Sequence, residues 1–481
     1  MSLDIAVIAF YMVAINAVGI ACSRVRSVND YFLGDRTLPW PVACFSIVAT
    51  ETSSLTFISI PGLAYISNMG FLQVALGYIL GRILVAYILL PRYFAGNLET
   101  AYQFLQNRFS LSTRRFIAVL FHITRLLADG IRLFATAIPL SMLMGFDGYW
   151  QSIIIIGVTT FVYTLYGGIR SVAVVDAIQM GVYLLSAVAG IVIISHLMDA
   201  PVLSIFGKIP PDRLMIFSTG LGGGWREVFT SYNLFSGVIG GALLSFASHG
   251  TDHLIVQRVL SCRGLREARK AMILSGIIVF IQFALFLVWG LFIYVLLNGK
   301  NFDLPDAVMP SFIVNRVPAG FKGLMLAGIF AAAMSTISSS INSISSSTVL
   351  DILMISRRDI PERSKIRISR AVSFIWTCVM IGIAMVFRDT KDPLVELGLG
   401  IASITYGGML GIFIQGIVFE TFSDAAALTG VVASILTTLA VSLAFDVFWP
   451  WFVPIGFAVS FIVGTVLNRV MTKKQVSGNR S

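Results

Sequence analysis

Within the stretch Ala331-Ala332-Ala333-Met334-Ser335-Thr336-Ile337-Ser338-Ser339-Ser340, three residues, Ala332, Ser335 and Thr336, stand at i, i+3 and i+4. On an α-helix that spacing brings them to one face, where they offer one carbonyl and two hydroxyls. Ser335, Ser338 and Ser339 repeat the set one turn further on. Such oxygens are hard ligands that suit hard cations. Neutral oxygens with at most one carboxylate fit a monovalent ion better than a divalent one. Small residues are also what closely packed membrane helices use at their contacts, so the spacing alone leaves packing open as the alternative.

Other side chains invite a chemical reading. Asp176 follows Tyr166-Gly167-Gly168-Ile169-Arg170 inside an apolar span, and an intramembrane carboxylate is functional by default and wants a partner. An ion pair with Arg170, or a place at the water interface, is the alternative. Glu51 lies in the polar run Ala49-Thr50-Glu51-Thr52-Ser53-Ser54, where it can assist a cation, meet a cationic part of a solute, or pair with Arg132 or Arg82. Arg125, Asp129 and Arg132 are four and seven apart, on one helix face. Arginine is the natural clamp for a carboxylate, and an internal Arg–Asp pair is the competing role. Thr56, Gln73, Tyr78, His249, Asp252, Gln282 and Tyr406 complete the candidate cavity lining. The sequence holds neither an HExxH motif nor a serine nucleophile with its base, so an enzyme is not expected. The four Cys and four His have no metal-ligand spacing.

The elements that position these residues are membrane helices. Of 481 residues, 57% are hydrophobic and only 12% charged, with mean hydropathy +0.88; an ordinary soluble domain carries about 25% charged residues. Thirteen apolar spans are expected, near 3–21, 39–66, 70–91, 116–144, 149–167, 171–198, 229–256, 271–298, 321–350, 368–387, 395–418, 424–445 and 448–468. No small-residue cleavage site follows 3–21, so it is expected to stay as a first helix. With the N-terminus outside and the C-terminus in the cytoplasm, the Lys and Arg between spans fall predominantly on the cytoplasmic side, as the positive-inside rule requires. That placement accounts for the net charge of +10 through anionic lipid, without nucleic acid. The external segment 199–228 reads as loop with a short helix. A short tail is expected after the last span, with no signalling module and no soluble protein partner implied.

Two spans are interrupted. Span 39–66 contains Ala49 to Ser54 and then Pro61-Gly62; span 229–256 contains Ser248-His249-Gly250-Thr251-Asp252-His253. They are the second and seventh spans, so with the first span set aside they open two five-helix halves. Interrupted segments at matching positions of two halves mark a transporter site, because broken helices expose backbone carbonyls and N–H groups within the membrane. Ordinary polar packing turns, or for the second run the cytoplasmic end of a span, are the alternatives.

The sequence resembles the sodium:solute symporters over about residues 28–440. Its marks stand in order: Asp30-Tyr31-Phe32-Leu33-Gly34; Thr56-Phe57-Ile58 with Pro61-Gly62 and Ala64-Tyr65; Thr100-Ala101-Tyr102 leading to Arg108-Phe109; Tyr166-Gly167-Gly168 with Asp176 and Gln179; Gln257-Arg258; and the Ser-rich span with Asn342 and Asp351-Ile352. The resemblance implies an all-α integral membrane protein with a LeuT-like 5+5 inverted repeat and extra flanking helices. It implies a single transporter domain over 1–481, with repeats at about 39–198 and 229–418 and two further helices within 424–468. It also implies Na+ as the coupling ion, held by the carbonyls of Ala49, Thr52 and Ala332 and the hydroxyls of Ser335 and Thr336. A second Na+ site used by some members falls on Asp176, Ser338 and Ser339. The implied protein is an inner-membrane, multi-pass symporter that imports a small polar solute by alternating access. A sodium-independent facilitator or channel of the same fold is the alternative. Sialic-acid-type members use an arginine on the helix of Arg125 and Arg132. Galactose-type members place a lysine in the span 271–298, which has neither Lys nor Arg here, so a simple hexose is in doubt. An acidic sugar, a carboxylate or an amino acid is the expected solute.

Overall fold

The computed structural model describes residues 2–23, 25–222, 224–302, 304–387 and 394–478, and among these it is helical with one isolated bridge. The long helices are α1 (Ser2–Ala21), α2 (Trp40–Glu51), α3 (Ser54–Ile66), α4 (Leu72–Leu84), α5 (Leu111–Met144), α6 (Trp150–Leu197), α7 (Gly241–Gly250), α8 (His253–Leu260), α9 (Leu265–Leu296), α10 (Phe321–Ser347), α11 (Glu362–Val386), α12 (Leu394–Val418), α13 (Asp424–Ala444) and α14 (Phe452–Gly478).

Nine described helices are long and apolar enough to cross a membrane, and α2 with α3 makes a tenth span bent by 65°. The thirteen expected spans differ from this count for physical reasons. Spans 149–167 and 171–198 are the two halves of α6, counted there as one, and they meet as expected at a non-helical kink at Gly168 (φ 58°, ψ −162°). A Cβ there would sit 2.4 Å from the Tyr31 carbonyl oxygen, so only glycine allows this approach. Span 116–144 is the helix α5, which carries Arg125, Asp129 and Arg132. Span 229–256 is realised as the π-turn Ser236–Gly240, α7 and the start of α8. The segment 199–228 carries two short helices, Val202–Phe206 and the start of Trp225–Thr230.

Helix α10 forms the core of the molecule. Every residue from Met325 to Ser347 is buried, and the helix packs on α6, α5, α1, α2 and α3. Its alanines and serines allow that approach, since small side chains let membrane helices come close, and its hydroxyls find backbone carbonyls instead of lipid. Around it, α9 packs on α2, α3 and α4, α7 on α4, and α12, α13 and α14 on one another. The start of the first broken span is fastened to the end of α8 by the Leu38–Cys262 bridge, with Leu38 N–H donating to the Ser261 carbonyl at 3.0 Å.

Candidate functional site

A helix end leaves its last four carbonyls without intrahelical donors. In α2 the Thr52 N–H still reaches Val48 O at 3.0 Å, so the ladder stops there and Ala49, Thr50, Glu51 and Thr52 follow as the freed carbonyls. Thr52 itself is extended (φ −80°, ψ 94°) and takes the chain through the 65° bend. Hydroxyls of α10 meet this end. Ser335 Oγ donates to Ala49 O at 2.9 Å and to Ala332 O at 3.0 Å. Thr336 Oγ1 donates to Thr50 O at 3.2 Å and to Ala332 O at 3.1 Å. Ala49, Ala332, Ser335 and Thr336 thus converge as expected, and all are buried. Thr50 O, not foreseen, joins them. The Thr52 hydroxyl donates back to Val48 O at 2.8 Å and accepts from Gln282 Nε2 at 2.7 Å. This cluster of neutral carbonyl and hydroxyl oxygens can hold a small monovalent cation.

One turn deeper lies a charged centre. Asp176 Oδ2 accepts from Ser46 Oγ at 2.6 Å, Ser339 Oγ at 3.3 Å and the Arg258 guanidinium at 3.2 Å. Its partner is therefore Arg258 on α8 and not Arg170, whose guanidinium donates to the Thr37 hydroxyl. Arg258 also donates to Ser46 at 2.8 Å and to Ser339. Ser338 turns away and donates to Ser335 O at 3.1 Å. Asp176 Oδ1 and Gln179 Oε1, one turn apart on α6, are buried acceptors with no donor among the described residues. Ser46 and Arg258 were missed as parts of this centre. Gln257-Arg258 was visible in the sequence, and a buried arginine demands a buried acid.

The remaining candidates divide around two adjoining cavities. Glu51, Thr56, Tyr78 and Arg132 line one, a small cavity of about 40 Å³, with Ser53 and the apolar Leu55, Ile60, Phe71, Phe283, Val395 and Leu399. Glu51, Tyr78, Arg125, Arg132, His249 and Tyr406 line the other. Glu51 pairs with Arg82, and His249 Nε2 stands 3.6 Å from it. Arg125 is spent on Asp252 (Nε to Oδ2, 2.9 Å) and on the Tyr406 hydroxyl. Among the described residues Arg132 has Asp129 as its charged partner, and its buried Nε has none. Asp129 is further held by Ser340.

Three candidates do not line either cavity. Asp252 accepts from Leu254 N–H at 2.8 Å as the N-cap of α8 while Tyr406 donates to it at 2.7 Å. Gln73 donates to Gly70 O at 3.3 Å and accepts from Ser218 N–H at 3.3 Å. Gln282 spans Thr52 and the Tyr183 hydroxyl, the latter at 3.1 Å. Each satisfies polar groups of the scaffold, which inside a membrane have no water to turn to.

Comparison with known proteins bears on this site. The family model described as "Sodium:solute symporter family" matches residues 31–434. The sodium/sialic acid symporter NanT of Aliivibrio fischeri is 29% identical over 465 residues, covering 94% of this chain and 90% of that protein. The human sodium-coupled monocarboxylate transporter 1 is 25% identical over 460 residues, covering 93% of this chain and 74% of that one. A solved structure of a Na+-coupled sialic acid symporter, in a substrate-bound outward-open state, superposes with a TM-score of 0.86 at 28% identity, covering 97% of this chain and 98% of that one.

Proposed function

The chain belongs to the sodium:solute symporter family, and from that membership we propose that the solute it carries with sodium is a small carboxylate with a largely apolar body. It is a multi-pass membrane transporter of LeuT-like inverted-repeat fold, sodium-coupled and working by alternating access, and not an enzyme. The observation that carries the substrate reading is Arg132. It lines both cavities, and among the described residues its buried Nε has no partner. A bare donor of this kind is satisfied by a carboxylate. Six apolar side chains share the first cavity with it. A polyhydroxylated sugar acid would leave many hydroxyls without partners against that wall, whereas an aliphatic or aromatic acid would not. Relatives named for sialic acid and for monocarboxylates support an acid in general, and the wall favours the less hydroxylated kind.

The sodium ligands follow from the freed end of α2: the carbonyls of Ala49, Thr50, Thr52 and Ala332, with the Ser335 and Thr336 hydroxyls. A second ion would be taken by Asp176, Ser339 and a rotated Ser338, with the donorless oxygens of Asp176 and Gln179 as the support for a cation there. The charges beside the cavities balance, with Arg82, Arg125 and Arg132 against Glu51, Asp129 and Asp252. A monoanion moving with one Na+ would then carry no net charge, and the membrane potential would contribute nothing. A second Na+ adds one charge, worth about 2.3 kcal/mol per 100 mV. The basic residues between spans favour an N-terminus outside and a C-terminus in the cytoplasm of an inner membrane. We take the two repeats to run over about 39–198 and 229–418.

The test is uptake by purified protein in liposomes, with sodium or potassium outside, across monocarboxylates, sialic acids, amino acids and neutral sugars. A monocarboxylate accumulated in sodium only, and lost in Arg132→Gln, is the expected result. Equal loss of a neutral solute in that variant would remove Arg132 from recognition. Current carried by uptake distinguishes one ion from two.

A further inference from the structure

Away from the central cavities, a groove opens between the first residue of α2, the end of α4 and the first three turns of α9. Its origin is a proline. Helix α4 passes through the π-turn Val85–Leu89, in which Leu90 N–H reaches back to Val85 O. The residue that would serve Ala86 O in the same register is Pro91, which has no N–H. Arg269 fills the gap, its Nε donating to Ala86 O at 2.9 Å. Its guanidinium then lies over the Tyr87 ring, 4.9 Å from the centroid. Lys270 Nζ stands 5.9 Å from the Trp40 ring centre.

The face of α9 that lines the groove has a polarity. Arg266, Arg269 and Lys270 stand at i, i+3 and i+4 in the first two turns, and Ile273 and Ile277 follow at the same helical spacing. Ile277 and Tyr87 are exposed. Three cations thus sit at one end of a concave strip and aliphatic and aromatic surface at the other, beside Trp40 and Tyr87, the residue types that mark the membrane–water interface. Glu267, the acid of that first turn, does not line the groove. Basic pockets between membrane helices bind anionic headgroups.

We propose that this groove is a binding site for one anionic phospholipid. Its phosphate is held by Arg266, Arg269 and Lys270, and one acyl chain runs along Tyr87, Ile273 and Ile277. The charge pattern selects an anionic over a zwitterionic headgroup, and the apolar half selects a lipid over a soluble phosphate. Because Trp40 begins the helix whose last turn carries Ala49 and Thr50, the occupant buttresses the element that supplies the ion site.

The experiment uses the full chain, purified in neutral detergent and stripped of lipid. Phosphatidylglycerol, phosphatidylcholine and glycerol phosphate are added separately. Bound species are read by native mass spectrometry and apparent stability by thermal shift. Phosphatidylglycerol should give a retained single adduct and a higher Tm, and the other two should give neither. Arg266→Gln/Lys270→Gln should lower adduct occupancy by about tenfold or more, since each basic residue near an anionic lipid contributes about 1 kcal/mol. Arg266→Lys/Lys270→Arg should retain it. Equal occupancy in the Gln double variant overturns the site, and an equal shift from glycerol phosphate overturns the lipid. If the Gln variant does not fold, the unaltered chain decides: equal retention of phosphatidylcholine and phosphatidylglycerol refutes the proposal.

Discussion

The two interrupted spans break in opposite ways. At the first, between α2 and α3, the freed carbonyls of Ala49 and Thr50 meet only neutral hydroxyls, from Ser335 and Thr336. Those hydroxyls can rotate, so the same oxygens are available to a cation. At the second, between α7 and α8, the exposed groups are already taken by strong partners. Gly250 O accepts from the Tyr93 hydroxyl at 2.5 Å. Asp252 caps α8 with one oxygen and receives Arg125 and Tyr406 with the other. One break is an open ligand set and the other a closed joint. The interruption of a membrane helix therefore says where backbone polarity is released, and the partners that meet it decide whether an ion or a side chain uses it.

The sharpest way to break this contrast is to open the joint. Arg125→Gln leaves Asp252 charged in a buried place, and breaking a buried pair costs about 3–5 kcal/mol. A large fall in Tm is expected, recovered in good part by adding Asp252→Asn. If Arg125→Gln leaves Tm unchanged, the second break is not a lock, and Arg125 becomes available to the solute.

Next in size is the open set. Thr336→Ala removes one hydroxyl while leaving the backbone carbonyls in place. The sodium concentration for half-maximal uptake should rise about tenfold or more, equivalent to at least about 1.4 kcal/mol. Stability measured without sodium should fall only modestly, by about 0.5–1.5 kcal/mol for the hydrogen bond to Thr50 O. Unaltered sodium dependence of uptake would remove the cation from this end of α2.

Much of this contrast was legible in the sequence, because polar residues in a membrane span are expensive and so announce themselves. The runs 49–54 and 248–253 stood out for that reason, and helical spacing alone put Ala332, Ser335 and Thr336 together. What spacing could not give was the partner across the fold. Asp176 meets Arg258, 82 residues away, and Thr50 O joins the site because the chain leaves α2 just after it, through the 65° bend into α3. Arg125 and Arg132 share one helix face, yet one is locked and the other keeps a free nitrogen; that depends on Asp252 and Tyr406, which come from other helices. Gln73 and Gln282 were read as cavity lining because they are polar and intramembrane. The same property serves equally to satisfy scaffold groups, and that is how the structure uses them.

The smallest expected effect sharpens the comparison most cleanly. Tyr93→Phe removes the one hydroxyl on Gly250 O and keeps the ring that packs against Phe104 and Phe413. A single hydrogen bond of this kind contributes about 0.5–1.5 kcal/mol, so a modest drop in Tm is expected. If the second break is only a joint, the half-saturating sodium concentration must stay where it was, because no ion ligand has been touched. If sodium affinity moves along with Tm, Gly250 O lies within reach of the ion path. The two breaks would then be two halves of one ion route and not a ligand set and a lock.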